Sequence, residues 1–167
     1  IEKFPQLFPG CPESGEACLQ RYRAWMDDYI RENGVPVKPG LRELLAWLKQ
    51  AHILCAVATS TFTNVAIGYL KNAGVLNCFA AIVGGDQVTK SKPDPEIFQL
   101  AMRALEKQTP ETCVVFEDSR NGLLAGASGG FPVIIVPDLF DPTLELPGLC
   151  YAKCARLDEA IDVIQNS

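Results

Sequence analysis

Two adjacent carboxylates, Glu117 and Asp118, follow the apolar run Cys113-Val114-Val115-Phe116 and precede Ser119-Arg120-Asn121-Gly122. Carboxylates at the end of a buried strand lose hydration, and a cation or strong hydrogen bonds must compensate. In open α/β sheets the carboxyl ends of the strands are where ligands sit. The pair therefore reads as a metal site, and its hard oxygen donors favour Mg²⁺. The competing reading is a helix cap by Asp118 and Ser119 beside a solvated Glu117. A second polar group, Thr59-Ser60-Thr61, directly follows the apolar run 53–58. Hydroxyls and backbone N–H groups at a strand-to-helix turn can hold an anionic oxygen, aided by the helix dipole. Ordinary Ser/Thr capping is the alternative there. A third, Lys92, stands in Thr89-Lys90-Ser91-Lys92-Pro93-Asp94-Pro95. Its two prolines stiffen the turn and hold the ammonium in a defined direction, where it can neutralise a phosphoryl oxygen or a nucleophilic carboxylate. A surface lysine in a proline-rich turn is the bland reading.

These groups need a scaffold that brings strand ends together, and the hydrophobic pattern supplies one. Helical periodicity covers residues 16–32, with Leu19, Tyr22, Trp25, Met26 and Tyr29 on one face and Gly34 as a stop. From Pro36 onward apolar strands alternate with helices. Helices are expected at 41–50, 63–73, 94–107, 121–128 and 155–165, and strands at 53–58, 79–83, 112–116 and 131–136, with a short strand before the last helix. This alternation implies a parallel sheet covered on both faces. The chemistry-bearing residues all fall at the carboxyl ends of strands or in loops that can reach them.

Composition narrows the class further. The 167 residues are 48% hydrophobic and 21% charged with net charge −5, a globular composition with no basic stripe to bind nucleic acid. No apolar run approaches the roughly 20 residues of a membrane-spanning helix. Seven cysteines are spread without a CxxC pair, which points to reduced thiols in a cytoplasmic setting. His52 is the sole histidine and stands before the 53–58 run, where it is expected to open a strand. A triad would have to use it, so the chemistry is expected to rest on carboxylates, hydroxyls and lysines.

The order Ala58-Thr59-Ser60, Ser91-Lys92-Pro93-Asp94-Pro95, then Phe116-Glu117-Asp118-Ser119 with Gly122 resembles motifs two, three and four of the haloacid dehalogenase-like superfamily. The β-phosphoglucomutase-like phosphatase branch, with helical caps, is the most similar. The resemblance spans residues 36–166. It implies a Rossmann-like three-layer α/β/α core at 36–167 and, at 1–35, the C-terminal part of a helical cap domain. It also implies Mg²⁺-dependent hydrolysis of a small phosphorylated metabolite, a sugar or nucleoside phosphate, through an aspartyl-phosphate. Thr59 would bind the phosphoryl group, with backbone contacts from Ser60. Lys92 would stabilise the phosphoryl charge and the nucleophile. Glu117 and Asp118 would hold Mg²⁺. One departure matters: motif one, DxDx(T/V), is not found. Asp27-Asp28 lies in a helical segment, Asp138 and Asp141 come too late, and Asp86-Gln87 does not fit. The expectation is that the nucleophile's strand lies in an N-terminal piece outside this sequence, and that without it an apolar groove opens in the sheet. A phosphomutase using the same residues and a non-catalytic homologue are the alternatives.

Overall fold

Ser14 begins the first helix by accepting a hydrogen bond from the amide of Ala17 at 3.2 Å. In the computed structural model, which describes residues 14–107, 109–138 and 141–166, this helix, α1, runs Gly15–Asn33 and stops at Gly34, where φ is 76°. It belongs to a unit formed by Ile1–Pro36, separate from a unit formed by Val37–Ser167. The aromatic face anticipated from periodicity exists: Tyr22, Trp25 and Tyr29 form a ladder with ring centroids 6.3 and 5.6 Å apart. No residue of α1 is buried.

The second unit alternates as the pattern requires. Its elements are α2 (Leu41–Gln50), β1 (Ala56–Ala58), α3 (Thr63–Asn72), β2 (Ala81–Val83), α4 (Glu96–Ala104), β3 (Val115–Glu117), α5 (Arg120–Ser128), β4 (Val133–Ile135), β5 (Ala152–Lys153) and α6 (Ala160–Gln165). All strand pairs are parallel. β1 pairs with β2, Ala58 opposite Val83. β3 pairs with β4, Glu117 opposite Ile135, and β4 pairs with β5. Among the described residues the strands therefore form two pieces, β1-β2 and β3-β4-β5, with no ladder joining β1 to β3.

β4 shows how the layers form. Its side chains alternate between faces, so Val133 and Ile135 enter one apolar cluster while Ile134 and Val136 enter another. The first cluster contains Ile97, Phe98 and Ala101 of α4 and Leu123 and Ala125 of α5, with Val83, Val115 and the partly buried Ala56 and Ala58. Both sheet pieces thus rest on one core. The second cluster gathers Leu44 and Leu48 of α2, Leu157 and Ala160. Helices on both faces of parallel strands give the expected α/β/α layering.

The element boundaries carry one correction. His52 does not open a strand. It closes α2, with φ of 57°, its amide bonded to Lys49 O at 3.2 Å and that of Ile53 to Leu48 O at 2.9 Å. That pair of bonds is the Schellman closure of a helix, and it leaves only residues 56–58 for the strand. Helix α4 ends at Ala104, three residues before the expected terminus, and closes the same way at Glu106, also at φ 57°. Gly74 and Gly130 close α3 and α5 in the same manner. Among the described residues no helix is long and apolar enough to cross a membrane.

Candidate active site

Lys92 is the centre of the polar cluster. Its ammonium donates to Ala58 O, at the end of β1, at 3.2 Å. It also pairs closely with Glu117 Oε1, at the end of β3. One buried cation thus ties together the ends of two strands that share no ladder. The two side chains are only 11% and 8% exposed, and the ammonium lies 4.6 Å from the Phe98 ring centroid. A buried charge is tolerated when it is paired and hydrogen-bonded, and both conditions hold here.

The loop that carries Lys92 is held by Glu96, in the first turn of α4. Its carboxylate accepts from the Thr89 amide at 2.9 Å, the Thr89 hydroxyl at 2.9 Å and the Lys90 amide at 2.8 Å. These bonds, the Thr89 amide first, hold the Glu96 carboxyl below its ordinary range. Asp94 Oδ1 accepts from the Glu96 amide at 3.0 Å, and the Lys92-Pro93 bond is cis.

Glu117 folds back over the start of α5. Its Oε2 accepts from the Ser119 hydroxyl at 3.0 Å and the Asp118 amide at 3.2 Å. Ser119 Oγ in turn accepts from the Gly122 amide at 3.0 Å, capping the helix. The space this needs explains Gly122: a Cβ there would lie 2.0 Å from Glu117 Cδ. The cap foreseen for Asp118 and Ser119 is thus made by Ser119. Asp118 is left with its carboxylate 43% exposed, 3.7 Å from Lys38 Nζ.

The Thr59 turn follows β1. The Thr59 amide continues the ladder to Val83 O at 3.0 Å, and its Oγ1 accepts from the Thr61 amide at 3.1 Å. Ser60 is exposed. The start of α3 is capped from outside by Asp86, which accepts from the Thr63 amide at 2.6 Å and its hydroxyl at 2.8 Å. Those bonds, the amide first, hold the Asp86 carboxyl below its ordinary range. Gly85 packs so closely on this turn that a Cβ would meet Ser60 O at 2.5 Å.

Lys92 therefore joins Glu117 to the residue preceding Thr59, while Asp118 faces Lys38. Glu96, Asp86 and Phe98 support these groups and were not singled out from sequence as supports. Three of the aspartates weighed as nucleophiles have structural partners. Asp28 pairs with Arg31 on α1 at 2.6 Å, Asp86 caps α3, and Asp141 accepts from Thr143 and pairs with Lys153.

Among the described residues no three His, Cys, Asp or Glu side chains cluster as a metal site. Mg²⁺ does not need such a cage: one or two carboxylates, waters and substrate phosphate oxygens suffice. Asp118, exposed and at a strand's carboxyl end, fits as a direct donor. Both Glu117 oxygens already serve Lys92 and the start of α5.

The sequence profile of the haloacid dehalogenase-like hydrolases covers residues 3–130. The phosphorylated carbohydrates phosphatase of Thermotoga maritima is 44% identical over 103 residues, covering 62% of this chain and 45% of the relative. A CbbY variant from Rhodobacter sphaeroides, solved in complex with xylulose-(1,5)bisphosphate, superposes with TM-score 0.76 and 30% identity over 95% of this chain and 72% of that one. A candidate β-phosphoglucomutase from Thermotoga maritima gives TM-score 0.77 at 30% identity, covering 99% and 76%. The chain spans about half the length of curated relatives such as the phosphatase (45%) and the Cereibacter sphaeroides CbbY (53%). With the profile matching most of its length and the buried lysine joining the strand ends, this chain belongs to the haloacid dehalogenase-like hydrolase family.

Proposed function

We propose that this chain forms most of the catalytic core of a Mg²⁺-dependent phosphatase acting on a small phosphorylated carbohydrate. The observation that carries it is the Lys92 ammonium, buried between the ends of β1 and β3 with Glu117 on one side and the Thr59 turn on the other. A fixed cation at the residue preceding a threonine turn suits a phosphoryl group, whose transfer is mostly a matter of positioning and charge neutralisation. The carbohydrate class is supported by the phosphatase from Thermotoga maritima and the bisphosphate-bound CbbY. Residues 1–35 are read as the C-terminal part of a helical cap that selects the substrate. A cytoplasmic setting fits the free thiols of Cys55, Cys78, Cys113, Cys150 and Cys154.

Each residue then has a task. The Thr59 hydroxyl, with the Ser60 backbone, orients a phosphoryl oxygen. Lys92 offsets charge on the phosphoryl group and on the attacking carboxylate, and Glu117 keeps Lys92 aimed. Asp118, assisted by Glu117, holds Mg²⁺, whose charge neutralises the transferring group when bound. The attacking aspartate would have to stand beside Lys92, between the ends of β1 and β3; its carboxylate would bond to phosphorus as the ester P–O bond breaks, with a second carboxylic acid giving the leaving alkoxide its proton. Water then cleaves the aspartyl-phosphate, releasing inorganic phosphate.

The test is release of inorganic phosphate by the protein from a panel of sugar phosphates, with and without Mg²⁺. Metal-dependent release supports the reading. Isomer interconversion without release would make the protein a mutase, and neither activity would reduce it to a binding homologue.

A further inference from the structure

A second lysine stands at the site, and neither the sequence motifs nor the phosphoryl chemistry assigns it a role. Lys38 lies between Val37 and Pro39, just before α2. Its side chain is 29% exposed. Three acceptors surround its ammonium: Pro137 O at 3.4 Å, Asp118 Oδ2 at 3.7 Å and Asp138 Oδ1 at 4.0 Å. Two of these belong to the segment after β4 and one to the segment after β3. Lys38 thus sits across neighbouring strand ends, at the carboxylate best placed to hold a metal.

An ammonium at that distance has two opposed effects on a metal-binding carboxylate. It restrains the side chain, which favours binding. It also competes for the same oxygens and repels any divalent ion they hold, which opposes binding. The geometry decides between them. At 3.7 Å the contact with Asp118 is longer than a hydrogen bond and restrains little. The side chains of Lys38 and Asp118 are both partly open to water, so an ordering effect is small while the charge effect persists. Pro137 O and Asp138 give the ammonium acceptors to fall back on when Asp118 is engaged elsewhere.

Resting on Asp118 as the Mg²⁺ donor in the proposed function, we infer that Lys38 is a competing cation. It neutralises Asp118 and yields it to the divalent ion by shifting its weight onto Asp138 and Pro137 O. It thereby lowers the Mg²⁺ affinity of the site. Asp138, exposed and 4.0 Å from the Lys38 ammonium, acts only through Lys38 as its alternative acceptor.

The test is Mg²⁺ titration of the protein by calorimetry, with no substrate present, so the readout is a dissociation constant and not a rate. Lys38→Gln should tighten binding by about three- to tenfold, less at high salt, as expected for removing one charge near a divalent ion. Asp138→Asn should weaken binding about two- to threefold, because Lys38 loses its alternative partner. In the Lys38→Gln background, Asp138→Asn should have no further effect. Unchanged or weaker binding in Lys38→Gln would make Lys38 a structural tether and overturn the inference. A twofold or larger effect of Asp138→Asn that persists without Lys38 would overturn it as well, and this arm stands even if Lys38→Gln fails to fold. Wild-type protein that binds no Mg²⁺ would refute the metal assignment itself, and with it this inference. Binding with no shift in the variants would refute the inference alone.

Discussion

Replacing Lys92 by Met should cost more stability than any other single surface-to-core change at this site. The side chains of Lys92 and Glu117 are 11% and 8% exposed, so the substitution leaves Glu117 charged and nearly dry. Removing one partner of a buried pair costs about 3–5 kcal/mol. The lost contact with the Phe98 ring adds about 0.5–1 kcal/mol, partly offset because Met still fills the space over the ring. Glu117 also keeps its bonds from Ser119 and the Asp118 amide, which places the expected loss near the lower end, at about 3 kcal/mol. With a urea dependence of about 2 kcal/mol per molar, the unfolding midpoint should fall by about 1.5 M. Glu117→Gln should cost less, about 2 kcal/mol, because the ammonium retains Ala58 O and the aromatic face. The double variant is the decisive member: with neither charge present, its loss should be smaller than the sum of the singles by about 2 kcal/mol or more. A loss under about 1 kcal/mol for Lys92→Met, or singles that add within about 0.5 kcal/mol, would refute a buried coupled pair. It would make Lys92 a solvated lysine and remove the observation on which the proposed chemistry rests.

Three further outcomes follow from the same geometry. Gly122→Ala places a Cβ 2.0 Å from Glu117 Cδ and should destabilise by about 1–3 kcal/mol through overpacking; turnover should fall with it, since Glu117 cannot move without releasing Lys92, and a thermal melt beside a phosphate-release assay checks both. Asp118→Asn should abolish Mg²⁺-dependent phosphate release while changing stability by less than about 1 kcal/mol, because its carboxylate is 43% exposed; retained release would end its role as a metal donor. Asp141 is held down to about 2, first by Lys153 and then by Thr143. A depressed carboxyl contributes stability above its unfolded value near 3.9, and that contribution drains away as pH falls towards about 2. The stability gap between wild type and Asp141→Asn, measured by urea unfolding, should therefore be full at pH 5 and shrink steadily towards pH 2.

The alternation of strands and helices was legible because it rests on burial. Val133 to Val136 is continuously apolar because both of its faces are covered, and a run of that kind announces itself. The site was legible for a related reason: Glu117-Asp118, Lys92 and Thr59 are polar groups set where burial would otherwise forbid them. One helix end at glycine was readable too, since Gly34, read as a stop, adopts positive φ at no steric cost. The closures at His52 and Glu106 were not, because neither is the glycine or asparagine that usually marks such a helix end. The tertiary structure imposes the left-handed conformation there, and the misplaced start of the first strand followed from that.

What stayed hidden at the site has a single physical origin. Glu96 to Thr89, Asp86 to Thr63, and Lys38 to Asp118 are contacts between loops, fixed by where the strands end and not by local pattern. Each involves a charged residue that, read alone, is an ordinary solvated side chain. The same is true of Glu117, whose pairing with Asp118 in sequence suggested two equivalent metal donors. Folding separates them. One oxygen of Glu117 is committed to Lys92 and the other to the start of α5, whereas Asp118 faces outward towards Lys38. Two neighbouring carboxylates thus acquire different surroundings, one closed around Lys92 and the other partly open to water beside Lys38. Only the direction in which each side chain leaves the strand end distinguishes them.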